Sequence, residues 1–327
     1  MRLSIISALV SLFSTVALGY LTLPLLRKLK AGQPILKYVE AHKNKSGTPT
    51  MGGLFFIVPS CAVFLIFFGV KLKLAIFSLC VGLAFMVVGF LDDFIKVKFK
   101  QNEGLKPYQK ILFQTSIAVV AGIFVWLNGL TEFYIPFTKK TVNLGLLSIP
   151  LVVVVFLAIT NSVNLTDGLD GLAGSSTLFY LLFISILIYL QMNSVKYLYT
   201  SSFEFYGLIN LSCCLIGAIA GFLLFNYSKA SVFMGDTGSL ALGGFVGSIS
   251  IFSFNSLLIP ILGLVYLLSS LSVIIQVLYF KMTRKRVFLM APLHHHIQIK
   301  GHSEAKISYL YSLITCIMGI CLIISYL

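Results

Sequence analysis

The stretch KLAIFSLCVGLAFMVVGFLDDFIK, residues 73–96, decides the fold. Between Lys73 and Asp92 it carries no charge, and at 1.5 Å per residue a helix of that length crosses the ~30 Å hydrocarbon layer of a bilayer. A helix is required because no water is present there to satisfy open backbone groups. The run then closes on two adjacent carboxylates, Asp92 and Asp93.

The pattern repeats outward in both directions. Hydrophobic residues make up 58% of the 327 residues and charged residues 10%, a balance that excludes an ordinary soluble domain. Apolar runs of roughly 18 to 25 residues read as spanning helices give about ten, near 3–26, 52–70, 73–91, 109–127, 145–162, 171–191, 207–225, 237–254, 257–280 and 307–326. The expectation is an all-α polytopic membrane protein, one integral domain over 1–327, with no soluble domain, low-complexity tract or repeat. Ala17-Leu18-Gly19 has the spacing of a signal-cleavage site, but its apolar run is too long and the charges follow it, so a retained anchor is expected. Cys61, Cys80, Cys213, Cys214, Cys316 and Cys321 all fall in predicted spans and read as free packing residues.

Basic residues orient the spans. Most of the 24 Lys and Arg fall in alternate loops, including Arg27, Lys28, Lys45, Lys96, Lys100, Lys110, Lys281, Arg284, Lys285, Arg286, Lys300 and Lys306; Arg2, Lys71, Lys73, Lys139, Lys140 and Lys196 fall in the others. Both termini are therefore expected outside, with all five aspartates, Asp92, Asp93, Asp167, Asp170 and Asp236, inside. The one external loop with strand character, from Phe133 to Asn143, predicts a small hairpin. The net charge of +14 follows from this topology and from anionic lipid, so nucleic-acid binding is not needed to explain it. It would still draw in an anionic substrate.

The inner segments carry the chemistry. Asp92 and Asp93 stand where the apolar run ends, read as a helix C-terminus whose carbonyls already repel anions. Paired carboxylates there bind a divalent cation or share a proton, or are simply neutralised by Lys96 or Lys98. In NSVNLTDGLDG, 161–171, steps of three place Asn161, Asn164, Asp167 and Asp170 on one face, while Gly168 and Gly171 disfavour a regular helix. A polar turn at a helix mouth is expected, either a ligand site or ordinary capping. FMGDTGS, 233–239, opens the eighth span, with Asp236 as its N-cap or as a ligand, and with free amides offered to a phosphate. GTPTMGG, 47–53, follows Lys45 and precedes the second span. In PLHHH, 292–296, consecutive histidines cannot all face one centre, which makes a zinc site poor; one or two are expected at a phosphate or in proton transfer.

With GTPTMGG at 47–53, LDDFIK at 91–96, NxxNxxDGLDGL at 161–172, VFMGDTGSLALGG at 232–244 and MAPLHHH at 290–296, the chain resembles the phospho-N-acetylmuramoyl-pentapeptide transferases of the polyprenyl-phosphate N-acetylhexosamine-1-phosphate transferase superfamily. Motif order and spacing agree over essentially the whole length. The resemblance implies a bacterial inner-membrane enzyme that, with Mg2+, transfers phospho-MurNAc-pentapeptide from UDP-MurNAc-pentapeptide to undecaprenyl phosphate and releases UMP. A homodimer is left open.

Carried onto this sequence, Asp236 matches the family's metal-binding aspartate. Asp92 and Asp93 match the pair that deprotonates or positions the lipid phosphate, and Asp167 matches a further active-site acid. Lys45, Gly168, Leu169, Asp170 and Phe233 match the uridine pocket, with Phe233 stacking on uracil. Thr50, Asn164, Gly235, His294 and His295 match the ribose and diphosphate region, and Lys96 and Lys100 match basic residues near phosphates. The chain departs from the family at Ile297–His302, where an aromatic or acidic residue and then KGW are usual, and at Ser269, where an acid is usual. Two rivals are weighed. A related GlcNAc-1-phosphate transferase would share the aspartate pair but would not carry PLHHH. A cation transporter would place its acids near mid-membrane rather than at one face.

Overall fold

The computed structural model describes residues 2–28, 47–101, 103–138, 140–194 and 202–327. Twelve α-helices occur among the described residues: α1 (Arg2–Lys28), α2 (Leu54–Phe68), α3 (Lys73–Phe99), α4 (Pro107–Leu127), α5 (Ser148–Thr166), α6 (Leu172–Ser194), α7 (Ser202–Asn226), α8 (Gly235–Phe252), α9 (Ile259–Leu262), α10 (Leu264–Thr283), α11 (Leu293–Ile299) and α12 (Glu304–Tyr326). Strands β1 (Glu132–Ile135) and β2 (Lys140–Asn143) form the expected hairpin, antiparallel with Tyr134 opposite Thr141. The cysteines are free and sit in helices, also as expected.

Among the described residues, eight helical segments are long and apolar enough to cross a membrane: α1, α3, α4, α5 with its leading turn, α6, α7, α10 and α12. The chain is an all-α polytopic membrane protein. Two of the ten expected spans are not among the eight. α2 has 15 residues, about 22 Å of helix. The segment before it is extended and pairs with residues 232–234, through Phe233 N–H to Pro49 O at 2.8 Å and Gly52 N–H to Phe233 O at 2.9 Å. α8 is rich in Gly and Ser and every residue from Thr237 to Phe252 is buried. A helix enclosed by protein needs no lipid-facing apolar surface, which is why its composition differs from that of its neighbours.

The ninth expected span is broken. Pro260 lies in the first turn of α9, and Gly263 links that short helix to α10. In the first turn proline's missing N–H costs nothing, and it is Gly263, at φ −94 and ψ 34, that ends α9 and caps α10, so the continuous apolar run folds as two helices. A further correction concerns Asp92 and Asp93. α3 continues to Phe99 and is closed by Lys100 at φ 51, so the aspartates lie two turns inside the helix rather than at its end. Lys96 follows Asp92 by one turn and pairs with it, which sustains the helix past the apolar run.

α8 is the axis of the molecule. α3 packs along its length and α5 lies against another face. The α3–α8 approach is close enough that a Cβ on Gly89 would overlap the Asp236 carbonyl oxygen. Aromatic rings fill the wider gaps, with Phe85 and Phe156 stacked at 5.7 Å. Buried amides pair reciprocally within the bundle: Gln191 with Asn255 at 2.7 and 2.8 Å, and Gln114 with Asn161 at 3.5 and 2.8 Å. Such satisfied polar pairs join helices where burial from lipid gives little driving force.

The two chain ends share one face. Ser4 donates to Asn210 near the start of α7, Glu204 accepts the amides of Lys73 and Leu74 at the start of α3, and the Tyr326 ring lies 6.0 Å from Tyr134 of the hairpin. The carboxylates lie toward the opposite ends of these helices.

Candidate active site

Four elements bring the aspartate cluster and its partners together: the C-terminal part of α3, the start of α4 with the loop before it, the end of α5 and the first turn of α8. α8 starts at Gly235, whose φ of 72° is readily adopted by glycine. Met234 is its N-cap and Asp236 falls within the first turn, so Asp236 is not the cap. That task belongs to Asp93. Its Oδ1 accepts the Asp236 amide at 3.2 Å, and its Oδ2 accepts the Thr237 amide at 2.9 Å and the Thr237 hydroxyl at 2.7 Å. The expected offer of helix-terminal amides to a phosphate is therefore corrected for two of them: Asp93 already takes those of Asp236 and Thr237, as the helix dipole favours.

Asp92, Asp93 and Asp236 bring carboxylate oxygens within 4.8 Å of one another. Asp92 and Asp93 are buried. Lys96 Nζ lies 2.6 Å from Asp92 Oδ2 and 3.2 Å from Asp236 Oδ2, and Lys110 Nζ donates to Asp236 Oδ2 at 2.8 Å. Asn164 donates to Asp236 Oδ1 at 2.7 Å and to the Ser239 hydroxyl at 2.9 Å, while the Leu105 amide donates to Asp92 Oδ1 at 2.9 Å. By formal charge, three carboxylates against two ammonium groups leave one negative charge over.

A cavity of about 250 Å³ opens above this cluster, lined by Thr50, Lys96, Asn164, Asp167, Gly168, Leu169, Asp170, Asn226, Phe233, Gly235 and Asp236. Ten of those positions were singled out in the sequence. Asp167 caps α5, and its carboxyl is pushed well above the usual range by burial and then by the charges of Asp236 and Asp93. Asp170 is held by its surroundings: its Oδ2 accepts the Ala230 amide at 2.9 Å, and its own amide donates to Glu304 Oε2 at 3.0 Å.

The three histidines separate as their spacing requires. His294 is fully buried, and neither ring nitrogen has a hydrogen-bond partner. Burial, and then the neighbouring His295, push it down to about 3, so it is neutral at physiological pH. His294 Nε2 lies against Gly168, and His295 Nε2 lies 2.9 Å from where a Gly168 Cβ would stand. His296 turns away: its Nδ1 accepts the Leu289 amide at 3.1 Å and its ring meets Phe288 edge-on.

One expected residue is not brought into the cluster. Lys100 is the exposed C-cap of α3, and Lys45 lies outside the described residues. Conversely, sequence reasoning missed Lys110, Thr237, Asn226, Gln298 and Glu304. Asn226 accepts the Gly171 amide at 3.0 Å and donates to Val232 O at 2.9 Å, tying the turn after α5 to the segment before α8.

Comparison with known proteins gives two family matches. Residues 75–254 match the model described as glycosyl transferase family 4, and residues 45–57 match phospho-N-acetylmuramoyl-pentapeptide-transferase signature 1. Curated proteins named phospho-N-acetylmuramoyl-pentapeptide-transferase are similar over nearly their whole length. That of Clostridium novyi (strain NT) is 43% identical across 99% of this chain and 96% of its own. Those of Clostridium beijerinckii and Clostridioides difficile (strain 630) are 43% and 40% identical across 94% and 96% of this chain, and 92% and 94% of theirs.

Proposed function

The chain belongs to the phospho-N-acetylmuramoyl-pentapeptide transferase family, and from that premise we propose how its own residues carry the reaction. The enzyme transfers phospho-MurNAc-pentapeptide from UDP-MurNAc-pentapeptide to undecaprenyl phosphate, giving the first lipid-linked peptidoglycan precursor. An oxygen of the lipid phosphate forms a bond to the sugar-bearing phosphorus, the bond between the two phosphates of the donor breaks, and UMP leaves with that electron pair. Anion meets anion in this step, so charge neutralisation dominates the barrier.

The observation that carries the assignment is the Asp92–Asp93–Asp236 cluster beneath a polar cavity. Its all-oxygen donor set suits a hard divalent cation, and its residual negative charge favours one. Asp236, with Asp92 beside it, is the proposed holder, and Mg2+ the proposed ion. When bound, the ion supplies Lewis-acid polarisation and charge neutralisation at the diphosphate. Lys96 and Lys110, both in contact with Asp236, screen the approaching phosphates. Asp93 is a positioning residue, because both of its oxygens hold the start of α8. Asp167, Asp170, Gly168, Leu169 and Phe233 form the proposed uridine side, with Phe233 stacking on the base. Thr50, Asn164, Gly235, His294 and His295 border the ribose and diphosphate.

The Lys/Arg distribution supports a cavity on the cytoplasmic face of a bacterial inner membrane. Purified protein with undecaprenyl phosphate and Mg2+ is expected to release UMP from UDP-MurNAc-pentapeptide and to be silent with UDP-GlcNAc. Release from UDP-GlcNAc alone would move the assignment to the related hexosamine-phosphate transferases, and an undiminished rate in EDTA would remove the metal from it.

A further inference from the structure

Glu304, at the first position of α12, joins the Asp170 turn of the cavity wall to the histidine-bearing helix α11 with one carboxylate. Its Oε2 accepts the Asp170 amide at 3.0 Å, from the turn that carries Asp167 and Gly168. Its Oε1 accepts from Gln298 Nε2 at 3.2 Å, on the helix that carries the histidines. Gln298 Oε1 in turn lies 3.1 Å from His295 Nδ1.

These contacts fix a proton. A carboxylate only accepts hydrogen bonds, so the Gln298 group facing Glu304 must be the NH2. The Gln298 carbonyl oxygen therefore faces His295 Nδ1, and a carbonyl also only accepts. Nδ1 must then carry the hydrogen, and in the neutral ring Nε2 is left with its lone pair. Nε2 is the atom that lies beside Gly168 on the cavity wall. Among the described residues, the His294 ring lies 4.4 Å away on the same helix, Glu304 is reached through Gln298, and Asp167 and Asp170 flank Gly168 in sequence.

We propose that Glu304 is a positioning residue which, through Gln298, locks His295 in the Nδ1–H tautomer and so presents Nε2 as a hydrogen-bond acceptor to the donor substrate. This rests on reading the cavity as the donor-substrate site. The ligand group it selects is a hydroxyl or N–H of the nucleoside or sugar, since a phosphate oxygen is itself an acceptor and finds no partner on a neutral Nε2. The same carboxylate accepts the Asp170 amide, so it ties that turn to α11.

The test begins on the full-length resting protein, where no turnover is needed. With 15N-labelled histidine, and the signal assigned by a His295→Asn variant, His295 is expected to show a protonated Nδ1 and a bare Nε2. A protonated Nε2 with a bare Nδ1 would overturn the proposal whatever the protein's activity. In Glu304→Gln, the 304 side chain can donate as well as accept, so Gln298 is free to invert. The His295 signal is then expected to become a mixture of tautomers, and the KM for UDP-MurNAc-pentapeptide to rise about tenfold, the scale of one lost hydrogen bond, with the KM for undecaprenyl phosphate unchanged. The exchange variant Glu304→Gln with Gln298→Glu restores every donor–acceptor match and is expected to restore both tautomer and donor KM. An unchanged tautomer and donor KM in Glu304→Gln, or no recovery in the exchange variant, would sink the idea. If the tautomer behaves as stated while UDP-MurNAc-pentapeptide is not turned over, the functional reading fails and the relay stands.

Discussion

α8 and α10 lie in the same bundle and follow opposite rules. α8 is interrupted by Gly and Ser and is buried from Thr237 to Phe252, whereas α10 is more uniformly apolar and only 22% of its most apolar window is buried. Hydropathy alone therefore does not report which helix the molecule is built around, since α6 and α7 are at least as apolar as α10 and are mostly buried. Small residues let α3 and α5 close on α8, and the polar first turn of α8 is thereby delivered to Asp93, Lys96, Lys110 and Asn164 at one end. The chemistry belongs to the helix that looks least like a membrane span.

The sharpest way to break this comparison is Asp236→Asn. The shape is kept and the charge facing two lysines is lost, so turnover is expected to fall by about 10³-fold or more, the scale of removing a central electrostatic group, with the melting temperature in detergent little changed. A rate within a few fold of the parent would separate α8 from catalysis. Next comes Gly89→Ala, which drives a methyl group into the Asp236 carbonyl. Overpacking at that crossing is expected to destabilise the protein by about 3 kcal/mol and to lower activity with it. A variant as stable as the parent would mean that α3 and α8 have room to separate. Lys110→Met is expected to lower kcat by about 10²-fold, and retained kcat would leave phosphate screening to Lys96 alone.

How much of this was legible in the sequence differs between fold and site. The spans were readable because lipid admits little else, and the hairpin because alternation around a turn has few alternatives. The break at Pro260–Gly263 was hidden inside a run whose composition stays apolar on both sides of it. Asp92 and Asp93 looked terminal because hydropathy ends there, although the Asp92–Lys96 pair carries the helix onward. Site residues in glycine-rich, charge-poor turns stood out. Lys110 and Glu304 did not, since each sits in the first turn of a helix, where a charged residue needs no special explanation. With only ten acidic residues in the chain, Glu304 still had a signal: an acid at the mouth of a span, shortly after three histidines.

A smaller effect sharpens the comparison through pH. His294 sits on the wall of the site beside α12 and is held near 3 against an ordinary value of 6.5. As pH falls below about 6.5 the unfolded chain takes up the proton first, so the folded state loses stability, by at most about 1.4 kcal/mol per pH unit until its own value is reached. His294→Leu removes this dependence. Its melting temperature in detergent is expected to fall less steeply than the parent's between about pH 6.5 and pH 4.5, and parallel curves would place the acid sensitivity elsewhere.

The smallest effect is the most direct probe of the two helices. Ile249 in α8 is fully buried and Ile274 in α10 is 52% exposed. Truncating Ile249 to Ala leaves a cavity that surrounding helices cannot fully close, at a cost of about 2–5 kcal/mol. Truncating Ile274 to Ala exchanges side-chain contacts with lipid for closer lipid, and surface changes of that kind stay within about 0.5 kcal/mol. Thermal melts of the two variants in the same detergent are expected to differ accordingly, with the Ile274→Ala curve overlying that of the parent. A comparable loss in both would mean that α10 is covered in the membrane by something more demanding than lipid, and the contrast between a buried axis and a lipid-facing helix would have to be redrawn.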